Sequence, residues 1–302
     1  MYNGILNVYK EKGYTSHDVV AKLRGICKQK KIGHTGTLDP DAVGVLPVCL
    51  GNATKLCDML TDKSKEYEAE FLLGVTTDTQ DISGQVKEER EVNVTEEQVR
   101  EAVLSFKGAY DQIPPMYSAL KVNGKKLYEL ARQGVEVERR ARRVEIHEIQ
   151  ILSIAMPYIR MRVHCSKGTY IRTLGVDIGE KLGCGAVMTV LKRTRVGTFT
   201  AENALTLSQI EALRDQDILL NHMVTVEEVF QHLRRGTVKV EFRKFIDNGN
   251  AIREVQLEEQ NQWQDGEEIR IYNNDGAFCG IFQYRQSERL CKPVKMFPMS
   301  QA

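Results

Sequence analysis

Between Gly33 and Gly51 the sequence reads GHTGTLDPDAVGVLPVCLG, and its first half crowds together His34, Thr35, Thr37, Asp39 and Asp41. Four glycines and two prolines punctuate the run, so the backbone must turn tightly while it presents polar side chains. Loops of that make-up often hold sites. An ionised carboxylate such as Asp39 can act as a nucleophile or exchange a proton. It can equally cap a helix starting near Pro40, because aspartate before proline is an ordinary helix entry. Local pattern alone leaves both readings open. The phosphate loop G-x-x-x-x-G-K-[ST] is absent and Gly33 to Gly36 lacks the G-x-G-x-x-G spacing, so nucleotide-phosphate cradling is unsupported.

The longer run GHTGTLDPDAVGVLPVCLGNATK closely resembles the catalytic motif of the bacterial tRNA pseudouridine synthase B family, which modifies uridine 55 in the T arm of tRNA. Asp39 falls where that family has its essential aspartate. Three further segments match in the family's order and spacing: KEYEAEFLLGVTTDTQDISG (Lys65 to Gly84), QIPPMYSALKVNGKKLYELARQG (Gln112 to Gly134) and CSKGTYIRTLGVDIGEKLGCGAVMTVLKRTRVG (Cys165 to Gly197). They span the first two thirds of the chain, and the last third matches more loosely.

The resemblance implies the pseudouridine synthase fold, a tRNA substrate and a cofactor-free isomerisation. Asp39 would be the nucleophile, acting on the ribose carbon or on C6 of uracil, with Arg172 as the cation that keeps it charged and aimed. Tyr67 would stack on the extruded uracil, its hydroxyl near C5 for proton transfer. Tyr170 would wall the pocket, and Leu191 would touch the base. His34 would enter the gap left by the flipped nucleotide or stack on neighbouring bases. Lys10 would join the basic residues that hold the RNA backbone. In the family, the region matching GVEVERRARRVE is a mobile insertion that closes over the RNA. Read without the family, each of these residues has an ordinary structural explanation as core, strand or helix-end side chain.

The elements that must position these groups show in the periodicity. Val19, Val20, Leu23, Ile26 and Cys27 recur at helical spacing behind a cap at Thr15 or Ser16. Thr95 and Gln98 fit a capping box before the stripe Val99, Val103 and Phe106, with Gly108 as a stop. Helices are also expected over Leu127 to Gln133 and Ser208 to Leu213. YEAEFLL, VEIHEIQIL and IRMRVHC alternate as half-buried antiparallel strands do. Regular alternation of strand and helix is missing, so the fold class is α+β, a mixed and mainly antiparallel sheet flanked by helices. After about Arg235 the texture turns to short strands and turns: TVKVEF, the turn Asp247 to Asn250, EIRIYNNDG, AFCGIFQY and VKMF. That divides the chain into a larger domain over 1–235 and a small all-β domain over 236–302, and the resemblance implies that the first is catalytic and the second RNA-binding.

A net charge of +1 conceals segregation: Lys22 to Lys31 holds five basic residues and no acidic one, Lys121 to Arg143 eight against three, and Glu66 to Glu101 is acidic. One basic face for phosphates would suit this pattern, as would ordinary solvated helix faces. Seven cysteines without a C-x-x-C pair predict reduced thiols and no metal. No apolar run reaches membrane-spanning length and the N-terminal stretch lacks the layout of a secretory signal, so a cytoplasmic protein is expected, a monomer without obligate protein partner. Three alternatives differ in class: a guide-RNA-dependent relative, a non-catalytic tRNA-binding or RNA-folding protein, and a hydrolase using Asp39, for which no second carboxylate beyond Asp41 suggests itself.

Overall fold

Along Lys65–Leu73 every second residue turns inward, so that Lys65, Tyr67, Ala69, Phe71 and Leu73 are buried while their neighbours are half-exposed. The two-residue period of an extended chain makes this segment a strand with one core face. It lies centrally in a sheet seen in a computed structural model that describes residues 1–122, 124–259 and 262–297. The chain divides into two compact units, one holding Leu6–Val48 and Cys57–Leu219, the other Met1–Ile5, Cys49–Leu56 and Leu220–Ala302.

The larger sheet has nine strands among the described residues. Its main path runs Gly4–Lys10, Val43–Leu50, Ala186–Val196, Lys65–Leu73, Tyr158–Cys165, Arg142–Ala155 and Gly108–Gln112, with Ile32–His34 and Phe199–Thr200 pairing at the side. Ala186–Val196 runs parallel to Val43–Leu50 but antiparallel to Lys65–Leu73, so the sheet is mixed and mainly antiparallel, as expected from the strand signals. Helices Ser16–Cys27, Glu96–Leu104, Leu127–Arg132 and Leu207–Asp215 form where the apolar stripes predict them. The first, second and fourth carry capping boxes at Thr15, Thr95 and Thr206.

The helix Ile171–Lys181 packs unusually near the sheet. A Cβ on Gly175 would fall 2.0 Å from the Phe71 ring, and one on Gly179 would fall 2.3 Å from the backbone of Gly185 and Ala186. These two glycines lie four residues apart, on one helix face, and that bare face lets the helix axis approach the strands. Leu174 and Ile178, both buried, join Phe71, Met161 and Val163 in the core. Each such side chain contributes about 1.5 to 3 kcal/mol by leaving water.

The smaller unit has a five-stranded sheet in the order Arg234–Thr237, Glu268–Tyr272, Phe278–Arg285, Leu290–Met296, Ile252–Arg253. Three strands match the expected EIRIY, AFCGIFQY and VKMF segments. The segment TVKVEF does not continue as a strand. The ladder with Glu268–Tyr272 ends at Thr237, Val238 makes only an isolated bridge to Leu257, the Lys239 N–H donates to the Gln256 carbonyl, and Val240–Phe242 coils into a single 3-10 turn. A short helix, Arg243–Asp247, precedes the Asn248–Gly249 turn and escaped the sequence reading because five residues carry no legible stripe.

Candidate active site

Asp39 caps no helix. Pro40 and Asp41 form a turn closed by the Ala42 N–H on the Asp39 carbonyl at 3.1 Å, and the chain then enters the strand Val43–Leu50. Pairing of Val43 and Gly44 with Lys192 and Arg193 draws this segment into the sheet, which overrides the local Asp-Pro signal for a helix. The Asp39 side chain remains free to point at a partner.

That partner is Arg172, on the second residue of the helix Ile171–Lys181. Its Nε lies 3.1 Å from Asp39 Oδ2, and its Nη2 donates to Oδ1 over 3.4 Å. The rest of the guanidinium is committed: Nη1 donates to the Thr79 carbonyl at 2.8 Å and sits 3.5 Å from Asp81 Oδ2, while Nη2 also donates to the Tyr117 carbonyl at 2.9 Å. The Arg172 side chain is 7% exposed and that of Asp39 42%, so the pair presents a carboxylate outward from a buried cation. Protein packed around Asp39 raises its pKa above the ordinary carboxylate value. The Arg172 charge opposes this rise but does not cancel it, and the neighbouring Asp81 adds to it.

Lys10 lies beneath the same loop. It is wholly buried, and its ammonium donates to the Pro40 carbonyl at 2.9 Å and to that of Glu11 at 3.1 Å. Grouping it with the RNA-facing lysines is therefore corrected: Lys10 anchors the Asp39 turn from inside and offers no surface to a phosphate. Burial lowers its pKa to about 8, against the pull of Asp39 and Asp41.

Tyr67 occupies the inward face of the central strand and is 9% exposed. Burial raises its hydroxyl pKa, the Arg193 charge is the largest influence opposing the rise, and the Asp39 charge adds to it slightly. Tyr170 immediately precedes the Arg172 helix, half-buried, with its hydroxyl pKa also raised chiefly by burial and slightly by Asp39. Leu191 is half-buried, packs on the core cluster that contains Tyr67 and Leu38, and pairs across the sheet with Ala69. Asp39 and Arg172 are thus in direct contact, and the Asp39 charge bears weakly on both Tyr67 and Tyr170.

His34 ends the short strand Ile32–His34, half-buried and edge-on to the exposed His17 ring at 5.3 Å. The Gly36 N–H donates to its Nδ1 at 3.3 Å, which leaves the ring proton on Nε2. Burial and the charges of His17 and Arg193 push its pKa down to about 4, so His34 is a neutral ring at physiological pH. Lys22, Arg24, Lys28, Lys30 and Lys31 are all exposed, as are Lys121, Lys125, Arg140, Arg142 and Arg143.

Three contributors were not singled out from sequence. Asp81, within TTDTQDISG, faces Arg172 from the side opposite Asp39. Gln112 is 1% exposed and holds the main chain of Tyr170. Arg193 is a buried arginine in VLKRTRV, whose alternation places it on the face shared with Tyr67. The signal available for Arg193 was that alternation itself: an arginine at an inward strand position needs a reason.

Residues 24–171 match the family described as TruB family pseudouridylate synthase (N terminal domain), and residues 172–231 match the tRNA pseudouridylate synthase B C-terminal domain. The chain is 53% identical to the tRNA pseudouridine synthase B of Lachnoclostridium phytofermentans, an alignment covering 98% of this chain and 99% of the relative. It is 50% identical to that of Alkaliphilus oremlandii over 97% of each chain. Among solved structures, a chain of an H/ACA RNP bound to a substrate RNA containing 2′-deoxyuridine superposes with a TM-score of 0.73 at 25% identity, covering 99% of this chain and 86% of that one. A chain of a Cbf5-Nop10-Gar1 complex gives 0.73 at 27% identity, over 97% and 84%.

Proposed function

The chain belongs to the TruB family of pseudouridylate synthases, and from that membership we propose that it converts uridine 55 in the T arm of tRNA to pseudouridine, with Asp39 as the nucleophile. The reaction breaks the N1–C1′ bond, joins C1′ to C5, removes the hydrogen of C5 and returns one to N1. Atoms and electrons balance within the nucleotide, so the residues need only bind, orient and move a proton.

The observation that carries this reading is the Asp39 carboxylate held by Arg172 at 3.1 Å yet 42% exposed. A carboxylate with a raised pKa is a stronger nucleophile than a fully neutralised one, and the guanidinium on one side fixes the direction of its free lone pairs. Attack at C1′ and attack at C6 are both compatible with such a group. Tyr67 supplies a flat apolar ring and a hydroxyl for the flipped base, Tyr170 and Leu191 bound the pocket, and His34 stands as a neutral ring that can replace lost stacking. The exposed lysines and arginines over 22–31 and 121–143 hold the backbone of the arm, and residues 236–302 add RNA contacts.

The relatives at 50% to 53% identity are tRNA pseudouridine synthase B proteins, whereas the chains from guide-RNA assemblies are 25% to 27% identical. We therefore read the protein as acting on tRNA alone, as a monomer in the cytoplasm; among the described residues no helix is long and apolar enough to cross a membrane. The test is purified full chain with unmodified tRNA transcript. Pseudouridine should form at uridine 55 without added cofactor or metal, and Asp39→Asn should abolish it while RNA binding persists. Normal turnover by Asp39→Asn would end the nucleophile assignment, and product elsewhere in the tRNA would end the site assignment.

A further inference from the structure

Among the described residues Arg193 is the largest wholly buried side chain, 1% exposed, in a site that already contains one buried arginine. Arg172 has carboxylates on two sides. Arg193 has backbone carbonyls instead: Nε donates to Val45 at 2.7 Å, Nη2 to Gly36 at 3.2 Å and Nη1 to Thr37 at 3.4 Å. Those three carbonyls bracket Asp39, two before it and one after it. In the sheet, Arg193 stands directly opposite Tyr67 on the same face, and its guanidinium is the largest influence favouring ionisation of the buried Tyr67 hydroxyl. Burying a guanidinium without a carboxylate is costly, and an amide could bind carbonyls more cheaply. The cation itself therefore calls for a purpose.

We propose that Arg193 is the positioning residue through which Tyr67 moves the proton of the reaction, donating to the Tyr67 oxygen and holding the phenolate that exists while the proton is away. This rests on the proposed role of Tyr67 in C5 proton transfer. Over the reaction N1 gains a hydrogen and C5 loses one. Tyr67 gives its hydroxyl proton to the detached uracil, whose N1 side carries the negative charge. It takes one back from C5 after the C1′–C5 bond forms and the bond to Asp39 breaks with its electron pair returning to the carboxylate, and the electron pair of the broken C5–H bond restores the C5–C6 double bond of the ring. Between these steps Tyr67 is an anion, in a place where burial opposes ionisation and Arg193 is the largest influence favouring it. The donors on the loop carbonyls keep Asp39 in register with Tyr67, so one guanidinium aligns the nucleophile and the proton carrier.

The test uses the full chain with tRNA transcripts carrying hydrogen or deuterium at C5 of uridine, and the variants Arg193→Gln, Arg193→Lys, Tyr67→Phe and Tyr67→Phe combined with each. Arg193→Gln should lower kcat about a hundredfold, the scale for losing a preorganised donor to a developing anion, with RNA affinity nearly unchanged. Its kcat should show a larger primary deuterium effect than the parent, because proton removal has become slower. Arg193→Lys should recover part of the rate. Combining either change with Tyr67→Phe should cost nothing beyond Tyr67→Phe alone, as for residues acting through each other. Slow turnover without an increased isotope effect, or losses that multiply with Tyr67→Phe, would reduce Arg193 to a clamp on the loop and overturn the proposal while leaving Tyr67 its role. Parental turnover by Tyr67→Phe would instead remove the role of Tyr67, and this proposal with it. If Arg193→Gln does not fold, Arg193→Lys carries the same two readouts. If Tyr67→Phe is too slow to time, the isotope effect decides.

Discussion

The side-chain amide of Gln112 grips the main chain of Tyr170 at both polar atoms: Nε2 donates to the Tyr170 carbonyl at 3.0 Å and Oε1 accepts from its N–H at 2.8 Å. Tyr170 is the entry residue of the Arg172 helix and has no side-chain cap there, so an amide from a distant strand does the work of one. Gln112→Leu should keep the volume and lose both bonds. The orphaned N–H should cost about 1 to 3 kcal/mol of stability. A shift of Arg172 near 1 Å should lower kcat roughly a hundredfold. Thermal unfolding and single-turnover kinetics measure the two effects, and unchanged kcat in a folded variant would show that the clamp does not set the Arg172 position.

Asp39→Asn should be inactive yet at least as stable as the parent at pH 7. The folded pKa of Asp39 is raised, so folding disfavours its charged form. Below the unfolded value of 3.8 the group is protonated in both states and carries no penalty; the penalty grows as pH rises through the folded pKa. Asparagine escapes it. The unfolding midpoint of the variant relative to the parent should therefore be higher at neutral pH than under acid conditions. A variant distinctly less stable than the parent at neutral pH would mean that the ion pair with Arg172 outweighs desolvation.

Lys10 gives the opposite titration. Its folded pKa is lowered from 10.5 to about 8, so the charged form is penalised in the fold at all lower pH values, and the penalty is relieved between those two pH values. Relative to Lys10→Met, which cannot titrate, the parent should gain stability as pH rises through this window. The same variant loses the anchor on the Pro40 carbonyl, and turnover should fall roughly tenfold to a hundredfold from misplacement of Asp39. Stability curves of both proteins in denaturant across the window settle the first point; parallel curves would contradict it.

Removing phosphate-binding charge should act on affinity. With Lys28 and Lys30 both exposed beyond the end of the Ser16–Cys27 helix, Lys28→Ala with Lys30→Ala should raise KM and flatten the plot of log affinity against log salt. The expected change in slope is about 0.7 to 0.9 per lost phosphate contact. An unaltered slope would place these lysines off the RNA path.

The larger elements were legible because their periods are long and clean. KEYEAEFLL could only be a one-faced strand, and the Thr95 capping box with its Val99 and Val103 stripe could only open a helix. The candidate site came from the resemblance, which named Asp39, Tyr67, Tyr170 and Arg172 together, and the structure sets Asp39 against Arg172. Much of its support was not legible, because beside the side chains of Asp81 and Gln112 it comes from backbone carbonyls. Thr79, Tyr117, Gly36, Thr37, Val45 and Pro40 hold Arg172, Arg193 and Lys10 through atoms every residue possesses, so nothing in their side chains announces the role. Lys10 shows the cost: a lysine in the sequence looks solvated, and only the fold reveals that it is sealed under the loop.

The bare glycine face of the Arg172 helix sets how the enzyme can respond to its substrate. With Gly175 against the Phe71 ring and Gly179 against the Gly185–Ala186 backbone, the glycine face of the helix sits directly on the sheet, beside the buried Leu174 and Ile178. Its amides should exchange with heavy water among the slowest in the chain, at the rate of global unfolding, whether or not RNA is bound. Adaptation during docking should then fall to the nucleic acid and to surface segments, with Arg172 expected to hold one position with and without RNA.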